Sequence, residues 1–152
     1  MKKLILSALA ALIVNIASAA SITIGQAIEL RAGLTALDGY QKDVPQGDAP
    51  AKVIVSPYKL SSDTRWKIFS ALTAIKPTLE TFDAARADLQ KRVKLAGDDK
   101  AALAAIDQEA EQLLARKQDV KLPTLKREEL ALGGNPIPGS VLVALAPIIA
   151  EK

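Results

Sequence analysis

The chain contains no cysteine and no histidine. Without cysteine there is no disulfide to hold an exported fold together, so stability has to come from core packing; there is no thiol nucleophile either. Without histidine there is no Ser-His-Asp triad and no imidazole acid–base chemistry, and most zinc sites lose their ligands. Aromatic residues make up 3% of the chain, as Tyr40, Tyr58, Trp66, Phe69 and Phe82. Ala and Leu fill the apolar positions instead, which favours helix.

A strong excess of one charge is also missing. The chain has 20 Lys+Arg and 17 Asp+Glu, and Lys2 and Lys3 lie in what reads as a removable leader, which leaves 18 against 17. A domain so near neutrality gives no case for nucleic-acid binding. No cofactor motif is present, and no catalytic or metal-ligating set is assigned.

The N-terminus fits the secretory pattern in order. Lys2 and Lys3 form a positive start, Leu4 to Val14 an uncharged apolar run, and Ala17-Ser18-Ala19 a small-x-small cleavage signal. Cleavage is expected after Ala19, or after Ala20 as second choice. The apolar run is short of the ~20 residues that a spanning helix needs, so membrane contact is expected only through the leader. No cysteine follows it, which excludes a lipoprotein. The expected division is residues 1–19 as signal peptide and 20–152 as one helical domain, of a length suited to a single core. The expected destination is a periplasm or the cell exterior; a leader that does not engage export would leave the chain in the cytoplasm.

The fold class expected is mainly α. Thr23 and Gln26 have capping-box spacing, and a helix over 24–37 follows with Ala27, Leu30, Leu34 and Leu37 on one side and Gly39 as its stop. Residues 39–50 read as a polar loop. Ser61, Ser62 and Asp63 offer caps for a helix over about 62–95. Its seam is Ile68, Leu72, Ile75, Leu79, Phe82, Arg86, Leu89 and Val93, a heptad pattern broken only by Arg86. Pro77, off the seam, predicts a kink or a break. After Gly97 and an aspartate cap, a helix over 99–117 with Leu103, Ile106, Ala110 and Leu113 completes an antiparallel hairpin. Counting outward from the turn sets Arg86 opposite Ala110, so Arg86 is expected to pair with Glu109 or Glu111. Residues 52–56 and 119–125 read as strands, and pairing them would give a two-stranded ribbon. Lys126–Leu132 reads as a short helix or turn, Gly133–Gly139 as a rigid turn, and 140–146 as a short helix capped by Ser140.

Four groups compete for a functional role. The acidic pairs Asp98-Asp99, Glu109/Glu111 and Glu128-Glu129 have the residue type for acid–base work or a hard cation, but their spacing matches no binding loop, so capping or solvated roles are expected. Gly133-Gly134 lacks the Lys-Ser/Thr sequel of a phosphate loop. Trp66, with Phe69 one turn on, is expected in the core, the alternative being an exposed anchor for a partner. The C-terminal run carrying Leu142, Leu145, Ile148 and Ile149 is apolar on every side; packing against the first helix is expected, with a partner groove or membrane surface as the alternative.

One resemblance rests on segment order. Thr23-Ile24-Gly25-Gln26 and Ala36-Leu37-Asp38 come first. Pro57-Tyr58-Lys59-Leu60 then precedes Thr64-Arg65-Trp66-Lys67, and Leu79-Glu80 with Phe82 and Arg86 follows. Asn135-Pro136-Ile137-Pro138 with Leu142, Leu145 and Pro147-Ile148-Ile149 closes the series. This order resembles small helical-hairpin proteins encoded by tailed phages and prophages, over about Ile22 to Ile149. The motifs it rests on are structural rather than catalytic; the family has no established activity, and the resemblance carries over no functional residue. The expected function is therefore a non-enzymatic interaction or structural protein acting through helical faces, with a phage structural or host envelope protein as partner. The alternatives are a periplasmic binding or chaperone-like protein that holds an apolar ligand at the C-terminal segment and, third, a carboxylate-based enzyme.

Overall fold

The computed structural model describes residues 18–46, 49–131, 134 and 136–150. Residues 1–17 of the expected leader, Gly47 and Asp48 of the expected polar loop, Leu132 of the expected short helix or turn, and Gly133 and Asn135 of the expected rigid turn lie outside the described residues. Strand β1 (Ser18–Thr23) leads into helix α1 (Ile24–Asp38), and strands β2 (Tyr40–Gln46) and β3 (Ala49–Val55) follow. Helices α2 (Ser62–Ala96) and α3 (Lys100–Ala115) form the long pair, and strand β4 (Lys117–Leu122) comes next. Helices α4 (Arg127–Ala131) and α5 (Gly139–Ala144) and a 3-10 turn (Ala146–Ile148) complete the described chain. The protein is mainly helical, as the Ala- and Leu-rich composition implies.

Helix α1 is the hub. Thr23 caps it as the spacing predicts: the Thr23 side-chain oxygen accepts from the Gln26 N–H at 3.1 Å, and the Gln26 side chain accepts from the Thr23 N–H at 2.8 Å. Ile24, Ala27, Leu30, Leu34 and Leu37 are all buried, a stripe at helical spacing. Most of it joins Ile68, Ala71, Ile75 and Leu79 of α2, Val120 and Leu122 of β4, and Leu145 and Ile148 of the C-terminal segment in one core. A second, smaller cluster gathers Ile24, Leu89, Ile106 and Leu113 where α1 meets the α2–α3 pair. At Gly39, which ends α1 with φ +114°, a Cβ would stand 2.5 Å from the Val55 carbonyl oxygen. Both observations require glycine there.

The strands pair differently from the expected ribbon. Residues 52–56 do not meet 119–125. Instead β3 pairs antiparallel with β2, within the stretch expected to be a loop, and β4 pairs antiparallel with β1. Pro45 faces Pro50 across the β2–β3 ladder. Neither has an N–H, so this pair sits between the ladder's hydrogen-bonded pairs, where no bond is lost. The β-pattern in β2 was hidden by its polar residues and its proline. That of β1 was hidden because its residues read as leader and cap.

Helix α2 runs through Pro77 without the break that proline allows. Pro77 is on the exposed side, so the carbonyl of Thr73 that it leaves unserved is not enclosed in the core. The tail is fixed by the backbone: Leu125 N–H donates to the Ile148 carbonyl at 2.7 Å and Ala150 N–H to the Leu125 carbonyl at 2.9 Å. Helix α5 begins at Gly139 after Pro138, with no side-chain cap, so the expected Ser140 cap is absent.

Candidate interaction surface

The inner side of α2 is set by Thr64, Ile68, Ala71, Ile75 and Leu79, all buried. At 100° per residue, Trp66 and Phe69 fall on the opposite side with Ser62, Thr73 and Pro77, all exposed. Trp66 is 63% exposed and Phe69 57%, and their rings stack with centroids 5.4 Å apart at 30°. The core placement expected for Trp66 is therefore incorrect. The physical reason is that Ala71, not an aromatic residue, occupies the buried turn beside Ile68 and lets α1 approach. Bringing Trp66 inward would require turning the helix by half a revolution and exposing Ile68 and Ile75.

The base of this face is braced by α4. Lys67 Nζ donates to Glu129 Oε1 at 2.6 Å, and the Lys126 N–H donates to Glu129 Oε2 at 2.8 Å. Partial burial pushes the Glu129 carboxyl up. The Lys67 hydrogen bond outweighs this together with the Lys126 N–H and the two lysine charges, and holds the group below the ordinary carboxylate value.

The C-terminal candidates divide. Leu145 and Ile148 are buried against α1 and Leu125, so they are core and not surface, and Ile149 is half-buried. Leu142 and Val143 remain outside, at 39% and 71% exposed. Val143, Ala144, Ala146 and Pro147 form one side of a groove of about 460 Å³ whose other side is Ala20, Ser21, Ile22, Gln26 and Glu29. A second groove, of about 310 Å³, lies where α1 crosses α2. It has Leu72, Ile75 and Leu79 as lining and the mixed charges of Arg31, Lys76, Glu80 and Asp83.

The expected Arg86 pair is not formed. Glu109 Oε2 meets Arg92 at 2.7 Å, while Arg86 and Glu111 are exposed and make no ion pair among the described residues. Side chains lean toward the N-terminus of their helix. In an antiparallel pair, Arg92 therefore leans away from the turn and Glu109 toward it, and the two converge, whereas Arg86 leans further from Glu109. Val93, placed on the seam by spacing, is 42% exposed. Asp99 caps α3 by accepting from the Ala101 and Ala102 N–H groups.

No family model, curated protein or solved structure matches the chain. Among the described residues no cluster of acidic side chains could hold a metal ion, and no helix is long and apolar enough to cross a membrane. The outer side of α2 is thus the most distinctive surface. Val143 belongs among the exposed apolar residues although it was not a candidate on sequence; Phe69, expected with Trp66 in the core, lies outside too, as a helical-wheel count from Ile68 and Ile75 would have placed it.

Proposed function

We propose that this chain is an exported, non-enzymatic interaction or structural protein that engages a protein partner through the outer side of α2. The observation that carries the reading is the stacked Trp66–Phe69 pair in solvent. Leaving a large apolar side chain in water forgoes roughly 1.5–3 kcal/mol of burial, and Trp is over-represented at the centres of binding interfaces. The lack of cysteine and histidine supports a role without covalent chemistry. The resemblance in segment order to small tailed-phage proteins favours a partner in a phage assembly or in the host envelope.

The experiment is site-specific photo-crosslinking in cells. A photoreactive phenylalanine analogue at position 69 is expected to give a defined adduct. The same analogue at Leu95, 85% exposed near the α2–α3 turn, is expected to give none. Equal labelling at both positions would remove the reading. Export is tested separately by the mass of the protein recovered from the envelope fraction: a chain beginning at Ala20 or Ser21 supports the leader, and an intact Met1 opposes it.

An apolar-ligand role for the C-terminal segment has less support. Burial of Leu145 and Ile148 leaves Leu142 and Val143 as its main exposed apolar residues.

A further inference from the structure

Register fixes which backbone groups of β1 are left over. The Ile24 N–H donates to the Arg116 carbonyl at 3.1 Å, and these two residues continue the register that opposes Thr23 to Lys117. They form a hydrogen-bonded pair, so alternation makes Ile22–Gln118 and Ala20–Val120 the next such pairs. Between them, Thr23 and Ser21 turn their backbone groups away from β4. The Gln26 side chain accepts from the Thr23 N–H at 2.8 Å. The Ser21 N–H and carbonyl meet no partner among the described residues and face the free edge of a two-stranded sheet. Cleavage after Ala19 leaves both groups in place.

The other sheet is guarded where β1 is not. Pro45 and Pro50 oppose each other across the β2–β3 ladder, with their nitrogens toward its two outer edges, and neither offers a donor there. Proline and charge are common means of keeping foreign strands off an edge. Strand β1, of sequence SAASIT, carries neither.

Beyond the β1 edge lies the groove of about 460 Å³. Ala20, Ser21 and Ile22 all border it. Successive strand residues point to opposite faces, so a groove touched by all three runs along the edge and not over one face. Ala144 and Ala146 stand across it. One extended segment fits between, and a hairpin does not, because α5 and the 3-10 turn occupy the place of a second added strand. Glu29 is the one charged residue of the lining, and it makes no ion pair among the described residues.

We propose that the free edge of β1 takes a single extended segment of a protein partner. The segment adds a third strand and exchanges hydrogen bonds with the Ser21 N–H and carbonyl. It turns small or apolar side chains toward Ala144 and Ala146 and a lysine or arginine toward Glu29. This site is separate from the outer side of α2.

The test uses the protein as recovered from cells and a labelled heptapeptide, acetyl-Lys-Val-Ala-Val-Ser-Val-Ala, followed by fluorescence anisotropy. Saturable binding is expected. Two further peptides are N-methylated at alternate residues, one in each phase, so that each loses the donors of one edge. The phase that faces β1 is expected to bind about tenfold more weakly or worse, and the other as the parent does. Glu29→Gln is expected to weaken the parent peptide about two- to fivefold, the range of an exposed ion pair. Ala146→Phe, which fills the groove, is expected to abolish binding, and Trp66→Ser/Phe69→Ser to leave it unchanged. Circular dichroism and urea midpoints matching wild type qualify each variant. Absence of saturable binding, or equal affinity of the two N-methylated peptides, would overturn the inference. Loss of binding in the Trp66→Ser/Phe69→Ser variant would place the site on α2 and overturn it as well. A dimer of the protein alone that the peptide disperses would give the edge to a second copy, with the same consequence.

Discussion

A Cβ placed on Gly33 would stand 2.9 Å from the Cβ of Ala144, with the Leu145 side chain at 3.4 Å. Helices α1 and α5 therefore meet at a distance that only glycine at position 33 allows. Alanine is the better helix former by up to ~1 kcal/mol, but overpacking a filled interface costs roughly 1–3 kcal/mol. Gly33→Ala is expected to lower stability by about 1 kcal/mol in urea titration. Gly25→Ala is the control, because its Cβ would meet nothing closer than 3.6 Å, and it is expected to be neutral or stabilising.

The Lys67–Glu129 pair predicts an acid-side loss of stability. A carboxyl whose pKa is lower in the folded than in the unfolded state binds more protons unfolded, so its contribution is full above the unfolded value and falls as pH drops through the folded one. The unperturbed value is 4.5, which places the loss below that pH. Glu129→Gln is expected to cost on the order of 1 kcal/mol at neutral pH and to flatten this part of the profile. Denaturation midpoints of both proteins between neutral and strongly acidic pH measure it.

The Arg92–Glu109 contact is expected to matter little. Its side chains are 42% and 53% exposed, and exposed pairs contribute ~0.2–1 kcal/mol. A double-mutant cycle at Arg92 and Glu109 is expected to give a coupling in that range that fades with added salt, while Arg86 and Glu109 give none. A larger coupling through Arg86 would restore the pairing counted from the turn.

Much of the fold was legible in the sequence, for identifiable reasons. Thr23 and Gln26 announced α1 because a capping box needs only local spacing. The bounds of α2 and α3 followed from seams flanked by serine, glycine and aspartate. What local pattern could not supply was partnership between distant segments. Lys52–Val55 was recognisable as a strand, but its neighbour β2 looked like a loop, and β4 found its partner in residues that run from the end of the expected leader to the cap of α1. The site was legible only in part: Trp66 was singled out, yet which side of α2 turned inward depended on Ala71 packing against α1. Register between α2 and α3 was close, since Leu89, Ile106 and Leu113 share a cluster. The arginine that reaches Glu109 was missed because the tilt of Cα–Cβ bonds was not counted.

Trp66 is the sole tryptophan, so fluorescence reports its surroundings without ambiguity. The expected emission resembles that of free tryptophan in water, is readily quenched by acrylamide, and shifts little on unfolding. Trp66→Ala is expected to change stability by no more than ~0.5 kcal/mol, as is usual for surface sites. Leu34→Ala, at a fully buried position, is expected to cost about 2–5 kcal/mol. A blue-shifted, protected emission would return Trp66 to the core.

With the outer side of α2 proposed as the working surface, partner capture is the decisive measurement. Mature wild-type protein and a Trp66→Ser/Phe69→Ser variant with the same circular dichroism and urea midpoint are used as bait in an envelope fraction. A discrete protein is expected to be enriched by wild type over a charge-matched control and to be absent with the variant. Equal recovery by both baits, or no enrichment over the control, would contradict it.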